Sequence, residues 1–288
     1  MLQRELGATG IHVAAIGLGG MPLSLAGRPN EPDALKVIES FVTGGGTFID
    51  TANVYCLDDG DLGHNERLIG KALAGLGLKG QILVATKGGL RRPKGGWVVD
   101  GSPVWLRASC ERSLKDLGVE VIDLYQLHAV DGKLGLMPSL ETLVRLQEEG
   151  KIRHIGLSNV HLAQVQEAMR HVPVVAVQNR CNPFEKEDFS NGLADYCRQQ
   201  QITYIAHSPV GGHHDHLRLK RGGILPKLAE KYRSTPYCVV LAWLLAKGPH
   251  VLPIPGASKI SSVESSLSAM ELSLEEGDLR MIDQMPDD

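Results

Sequence analysis

Short runs of β-branched and other apolar residues alternate along the chain with longer stretches whose apolar positions recur every three or four residues. The short runs are "AAIGLG" at 14–19, "TFIDT" at 47–51, "ILVATK" at 82–87, "VIDLYQLH" at 121–128, "IRHIGLS" at 152–158, "VVAVQN" at 174–179, "ITYIAHS" at 202–208 and "VLPIPG" at 251–256. They are too apolar for one face to stand in water, which predicts strands covered on both sides. Between them, "PDALKVIESFVTGG" sets Leu35, Val37, Ile38, Phe41 and Val42 at helical spacing before a glycine stop. "SPVWLRASCERSLKDLG" opens at a Ser-Pro cap and closes on Gly118. "NERLIGKAL", "SLETLVRLQEEG", "LAQVQEAM", "GLADYCRQQ" and "YCVVLAWLLAKG" read the same way.

The order is strand then helix, eight times, and 288 residues allow 36 for each unit. That is about what a parallel strand, its crossover helix and two loops require. The prediction is one (β/α)8 TIM barrel domain over residues 1–288, with an N-terminal β-hairpin, "LQRELGATGIHVAA", turning at T-G and closing the barrel bottom. A doubly wound dinucleotide fold is the rival, because "GLGGMP" follows the first strand. Its fingerprint needs a third glycine opening a helix, and Pro22 stands there instead.

Composition changes this picture little. A formal charge of −3, from 30 basic and 33 acidic side chains, gives no basic field for nucleic acid. Five scattered cysteines (Cys56, Cys110, Cys181, Cys197 and Cys238) include no C-x-x-C pair and suit reduced, buried thiols, neither a disulfide framework nor a zinc site. No apolar run of 18 residues and no basic-then-apolar leader are present, so the protein is expected in the cytoplasm, without a membrane partner.

In a barrel of this type chemistry sits at the C-terminal strand ends. Asp50 ends the second strand, Lys87 the third and His128 the fourth, so these should converge at one side of the mouth, with Tyr55 reaching in from the loop after Asp50. A phenol is a poor proton donor or acceptor at neutral pH unless a cation stabilises its anion, and a lysine about 4 Å away could lower its pKa by as much as roughly three units. Asp50 would keep that lysine charged, and His128 would hold a carbonyl oxygen or relay a proton. Such a group supplies protons but no electrons, so hydride must come from a cofactor.

The segments "FIDTANVYCLDDGDLGHNERLIGKAL", "ILVATKGG", "SLKDLGVEVIDLYQLH", "GKIRHIGLSNV", "VVAVQNRCNPF" and "PIPGASK" resemble, in order and register, those of the aldo-keto reductases. The resemblance covers nearly the whole chain. It implies NADPH-dependent reduction of an aldehyde or ketone, with Asp50, Tyr55, Lys87 and His128 as the catalytic group and Tyr55 as general acid. It also implies that Ser158, Asn159 and Gln178 hold the nicotinamide carboxamide. Gly20, Met21, His207, Ser208, Pro209, Gly211, Gly212 and Gly256 would line the rest of an extended NADP(H).

Four departures from the family pattern bear on the site. Cys56 replaces the glycine that usually follows the tyrosine, and His207 replaces the aromatic ring that usually stacks on nicotinamide. Ser262, Ser265 and Ser266 stand where Arg or Gln, Glu and Asn are common near the adenosine 2′-phosphate, while Ser258 and Lys259 remain as phosphate ligands. The C-terminal covering loop is short, so an open site is expected. Trp97, in the long loop after the third strand, is expected either to wall the substrate pocket or to pack beneath its own loop. The "HHDH" run at 213–216 and the basic Arg218, Lys220 and Arg221 read as solvated polar residues, with no metal site. The frame is similar to bacterial members acting on small aromatic aldehydes such as pyridoxal, and a monomer is expected. Two alternatives stand beside this: a non-enzymatic NADPH sensor, and a lyase forming a Schiff base on Lys87.

Overall fold

A computed structural model describes residues 1–287, apart from the side chains of His213 and His214. Strands β1 (Gln3–Glu5) and β2 (His12–Ala14) pair antiparallel as the expected hairpin. Its reversal takes residues 7–10 and not T-G alone, because Gly7 and Gly10 both adopt left-handed φ, at 55° and 75°, where a side chain would be strained. The hairpin lies across the N-terminal strand ends. The Thr203 hydroxyl accepts from Gly7 N at 2.7 Å, and that of Thr47 accepts from Ala14 N at 2.7 Å.

The barrel strands are β3 (Leu18–Gly19), β4 (Phe48–Asp50), β5 (Leu83–Gly88), then, past a small antiparallel ribbon of β6 (Leu90–Arg91) and β7 (Val98–Val99), β8 (Ile122–Leu127), β9 (Ile152–Ser158), β10 (Val174–Arg180), β11 (Thr203–His207) and β12 (Val251–Ile254). Neighbours in the eight-stranded sheet are parallel. Gly17 N donates to Pro253 O at 3.0 Å and Gly19 N to Pro255 O at 2.9 Å, closing β3 onto the last strand.

Helices α1 (Glu31–Thr43), α2 (His64–Gly75), α3 (Pro103–Leu117), α4 (Met137–Glu148), α5 (Leu162–Met169) and α6 (Leu193–Gln199) follow their strands on the outside. The strand-seven segment, read as loop, contains α7 (Gly212–Asp215) and a 3-10 turn before α8 (Ile224–Lys231). Then come α9 (Pro236–Ala246), α10 (Ile260–Leu267) and α11 (Glu276–Asp283). The α3 ends form as the sequence predicts: the Ser102 hydroxyl accepts from Trp105 N, and Gly118 stops the helix in the left-handed conformation. No helix among the described residues is long and apolar enough to cross a membrane.

Successive side chains of a strand point to opposite faces, so one alternate set fills the barrel. Leu6, Val13, Phe48, Leu83, Ala85, Leu124, Ala176, Ile205 and Leu252 pack there as a buried apolar plug. Two residues further along the same faces the character changes: Phe48 gives way to Asp50, Ala85 to Lys87, Leu124 to Gln126 and Ala176 to Gln178. The plug thus carries a polar layer at its C-terminal end. All five cysteines are free and buried.

Candidate active site

The polar layer is tied together by direct contacts. Lys87 Nζ, fully buried, donates to Asp50 Oδ2 at 2.6 Å, to Thr51 O at 2.9 Å and to Tyr55 Oη at 3.0 Å. The other Asp50 oxygen accepts from Gln178 Nε2 at 2.7 Å and more weakly from Gln126 Nε2 at 3.4 Å. Tyr55 arrives on a tight turn, its N–H donating to Ala52 O, and packs with Val54, Cys56, Leu62, Leu90 and Met21. His128 is set by its N–H on Gly88 O at 2.8 Å, and its ring stands edge-on to Tyr55 with centroids 5.9 Å apart. The four residues expected to converge do so.

Burial strongly favours the neutral phenol and outweighs the pull of Lys87, so the Tyr55 pKa is raised above its ordinary 10.0. This corrects the expected depression: a Lys87 charge 3.0 Å away is itself half-neutralised by Asp50, which also disfavours a second anion. Burial alone would lower the Lys87 pKa, but Asp50 and Tyr55 together overcome it and hold the ammonium above its usual range. His128 is held neutral, first by burial and then by Lys87 and His207, and its Nδ1 has no partner. The site therefore presents a protonated phenol, an ammonium beside it and a neutral imidazole.

Ser158 and Asn159 end β9 next to Gln178. Asn159 adopts a left-handed φ of 55° and is held there by its N–H on Gln178 O at 3.0 Å and its Nδ2 on His128 O at 2.9 Å. Gln178 Nε2 faces Asp50, which leaves Oε1 free to accept from an amide. His207 is half-buried between Asn159 and Ser208, and burial followed by Lys87 and Arg180 lowers its pKa to about 3. Ser208, Gly211 and Gly212 take φ of 50°, 86° and 65°, and the turn they form is closed by Gly211 N donating to Ser208 O at 3.0 Å. Pro209 is buried beneath that loop.

Gly20 donates its N–H to Asp50 O at 2.8 Å, and Gly256 lies against Pro22, where a Cβ would approach within 2.7 Å. Ser258 and Lys259 are exposed at the start of α10. The hydroxyls beyond them are engaged locally, Ser265 with Thr235 at 3.0 Å and Ser266 with Ser262 O at 2.8 Å. His213 and His214 of the histidine run have side chains outside the described residues. Arg218 lies over Phe184 and Lys220 over Tyr237, so these cations pack on rings where only solvated ones were expected.

Trp97 stands at the mouth with its centroid 6.5 Å from those of both Tyr55 and His128. Three participants escaped the sequence reading. Gln126 shares a strand face with His128, and that alternation was the available signal. Arg180, at the end of β10, pairs with Glu185 and reaches Gly211 O and Asp215 of the loop after β11. Arg92 lies beneath Trp97, and its isolated position in a loop gave no clue.

Comparison with known proteins identifies the family and the fold. The profile of the Aldo/keto reductase family matches residues 15–287. "Probable aldo-keto reductase 1" from Glycine max is 33% identical, over 96% of this chain and 87% of that one. The solved thermostable aldo-keto reductase Tm1743, bound to epalrestat, superposes with a TM-score of 0.84 at 29% identity, covering 99% of this chain and 100% of that one. The holo form of the aldo-keto reductase AKR11C1 from Bacillus halodurans shares the fold at a TM-score of 0.82 and 24% identity, over 99% and 96% of the two chains.

Proposed function

The chain belongs to the aldo/keto reductase family and is an NAD(P)H-dependent oxidoreductase; from that premise we propose that it reduces a small aldehyde or ketone with NADPH, and that Tyr55 is its general acid. One observation carries the residue assignment: Lys87 Nζ touches Asp50 and Tyr55 Oη at once, at the C-terminal ends of neighbouring strands.

NADP(H), when bound, supplies the hydride. The residues present fit such a group. The free Gln178 Oε1 and the Ser158 and Asn159 side chains suit a carboxamide, His207 offers a flat neutral face, and Gly20, Met21 and Gly256 keep the floor low. The Ser208 hydroxyl and Arg180 suit a pyrophosphate at the turn made by Pro209, Gly211 and Gly212, while Ser258 and Lys259 suit a 2′-phosphate, with Ser262, Ser265 and Ser266 behind them.

The substrate carbonyl oxygen is bound between Tyr55 Oη and the neutral His128. As charge develops on that oxygen, Tyr55 gives up its proton, and the phenolate left behind is stabilised by Lys87, which Asp50 has kept charged. The raised Tyr55 pKa suits this role, because the proton is present before reaction and the ammonium lowers the cost of losing it. The test is quenching of tryptophan fluorescence by NADPH and NADH in wild type and Lys259→Ala, followed by a carbonyl panel with Tyr55→Phe. Saturable NADPH binding weakened by Lys259→Ala, with turnover abolished by Tyr55→Phe, is expected. Tight NADPH binding without turnover of any carbonyl would replace this reading with that of a cofactor sensor.

A further inference from the structure

Arg92 is 7% exposed as a residue, yet of its guanidinium only Nη2 has acceptors, the carbonyls of Cys56 at 3.2 Å and Leu57 at 3.4 Å. Nε and Nη1 are buried with no acceptor, and no carboxylate among the described residues forms an ion pair with Arg92. One face of the group lies on the indole of Trp97, 3.9 Å from its centroid. A buried, permanently charged group with two empty donors is costly, and arginines kept for structure alone are normally satisfied. An anionic acceptor at Nε and Nη1 would satisfy both nitrogens and offset the buried charge.

Position indicates what. Trp97 is the shared neighbour of Arg92, Tyr55 and His128. Arg92 also holds the carbonyls immediately after Tyr55, so it sits at the Tyr55 side of the mouth. The cofactor's anionic groups would instead lie with Gly211, Gly212 and Lys259, after β11 and β12, and around the closed barrel β11 stands opposite β5, the strand whose loop carries Arg92. Trp97 is 48% exposed, so its indole borders both the guanidinium of Arg92 and solvent.

Resting on the reductase reading above, we infer that Arg92 recognises a carboxylate carried by the carbonyl substrate, so that the preferred substrates are oxo acids and aldehyde acids. The carbonyl sits at Tyr55, the carbon frame lies along Trp97, and the carboxylate accepts from Nε and Nη1 of Arg92. Charge-assisted pairing of a planar carboxylate with guanidinium gives direction as well as affinity.

The test compares 3- and 4-carboxybenzaldehyde with their methyl esters, which keep the ring and aldehyde but remove the charge. Wild type should favour the better acid over its ester by tenfold or more in kcat/KM. Arg92→Met should collapse that ratio toward one, and Arg92→Lys, keeping the charge without the fork, should retain part of it. In parallel, 4-carboxybenzyl alcohol should quench Trp97 fluorescence saturably in wild type and not in Arg92→Met, with Trp97→Phe as the control for the signal. An acid-to-ester ratio near one in wild type for both isomers, or a ratio untouched in both Arg92 variants, overturns the assignment and leaves the reductase reading intact. If no aldehyde is turned over, the reductase reading fails, and alcohol binding alone decides on Arg92: dependence on Arg92 supports the anion site, and its absence overturns it.

Discussion

At Asp50 a single carboxylate serves two neighbours, pairing with Lys87 through Oδ2 and with Gln178 through Oδ1. Removing its charge in Asp50→Asn leaves the fully buried Lys87 ammonium beside a neutral amide, and breaking a buried pair in this way costs about 3–5 kcal/mol. Burial then pulls the Lys87 pKa down with less to oppose it, so urea unfolding should show that loss and turnover should fall at a lower alkaline pH than in wild type. In wild type the limit set by Tyr55 lies above its ordinary 10.0, because burial raises its pKa. Reduction should therefore hold level from neutrality to about pH 9, judged against the pH dependence of an unreactive control. Tyr55→Phe should lower kcat by about 10²- to 10⁴-fold while NADPH binding persists. Asp50, Lys87 and His128 were legible because a polar residue closing an apolar strand is conspicuous. Gln126 was not, since it lies inside an apolar run, and Arg92 owes its meaning to a ring five residues away in a loop.

The barrel strands and the helix after each were legible because short continuous apolar runs are distinct from longer stretches of period 3.6, several of which stop at a glycine. What the periodicity could not show was structure without a hydrophobic face of its own. The β6 and β7 ribbon is two residues a side, and α7 opens on left-handed glycines, which in sequence read only as loop. Close approach between strands was equally hidden. Gly156 of β9 faces Gln126 of β8, and a Cβ there would stand 2.8 Å from Gln126 Cγ and 3.2 Å from Ala176 O. Gly156→Ala should thus push Gln126 against the Asp50 and Gln178 cluster. Overpacking of this kind costs about 1–3 kcal/mol. Thermal unfolding should register the loss, and kcat should fall with it, since the displaced side chain bears on Asp50; an unchanged melting temperature would show that Gln126 can step aside freely.

Across the whole molecule, stability should depend on pH through a group far from the carbonyl chemistry. Glu66 is fully buried between α2 and the barrel wall, accepting from Thr86 Oγ1 at 2.6 Å, and burial outweighs the pull of Ser113 and Thr86 to set its pKa at about 7 against an ordinary 4.5. Below 4.5 the carboxyl is protonated in both folded and unfolded chains and contributes no slope. Between 4.5 and about 7 the unfolded chain ionises first, so the folded state binds more protons and loses stability as pH rises. Past that window the loss is complete, about 3 kcal/mol at 1.36 kcal/mol per pKa unit. Glu66→Gln removes this single titration while leaving the other carboxylates in place, so the difference between the two urea-unfolding free energies isolates it. The variant should gain on wild type between pH 5 and pH 8 by up to that amount, and parallel curves would mean that the folded barrel solvates Glu66 well enough to ionise it without cost.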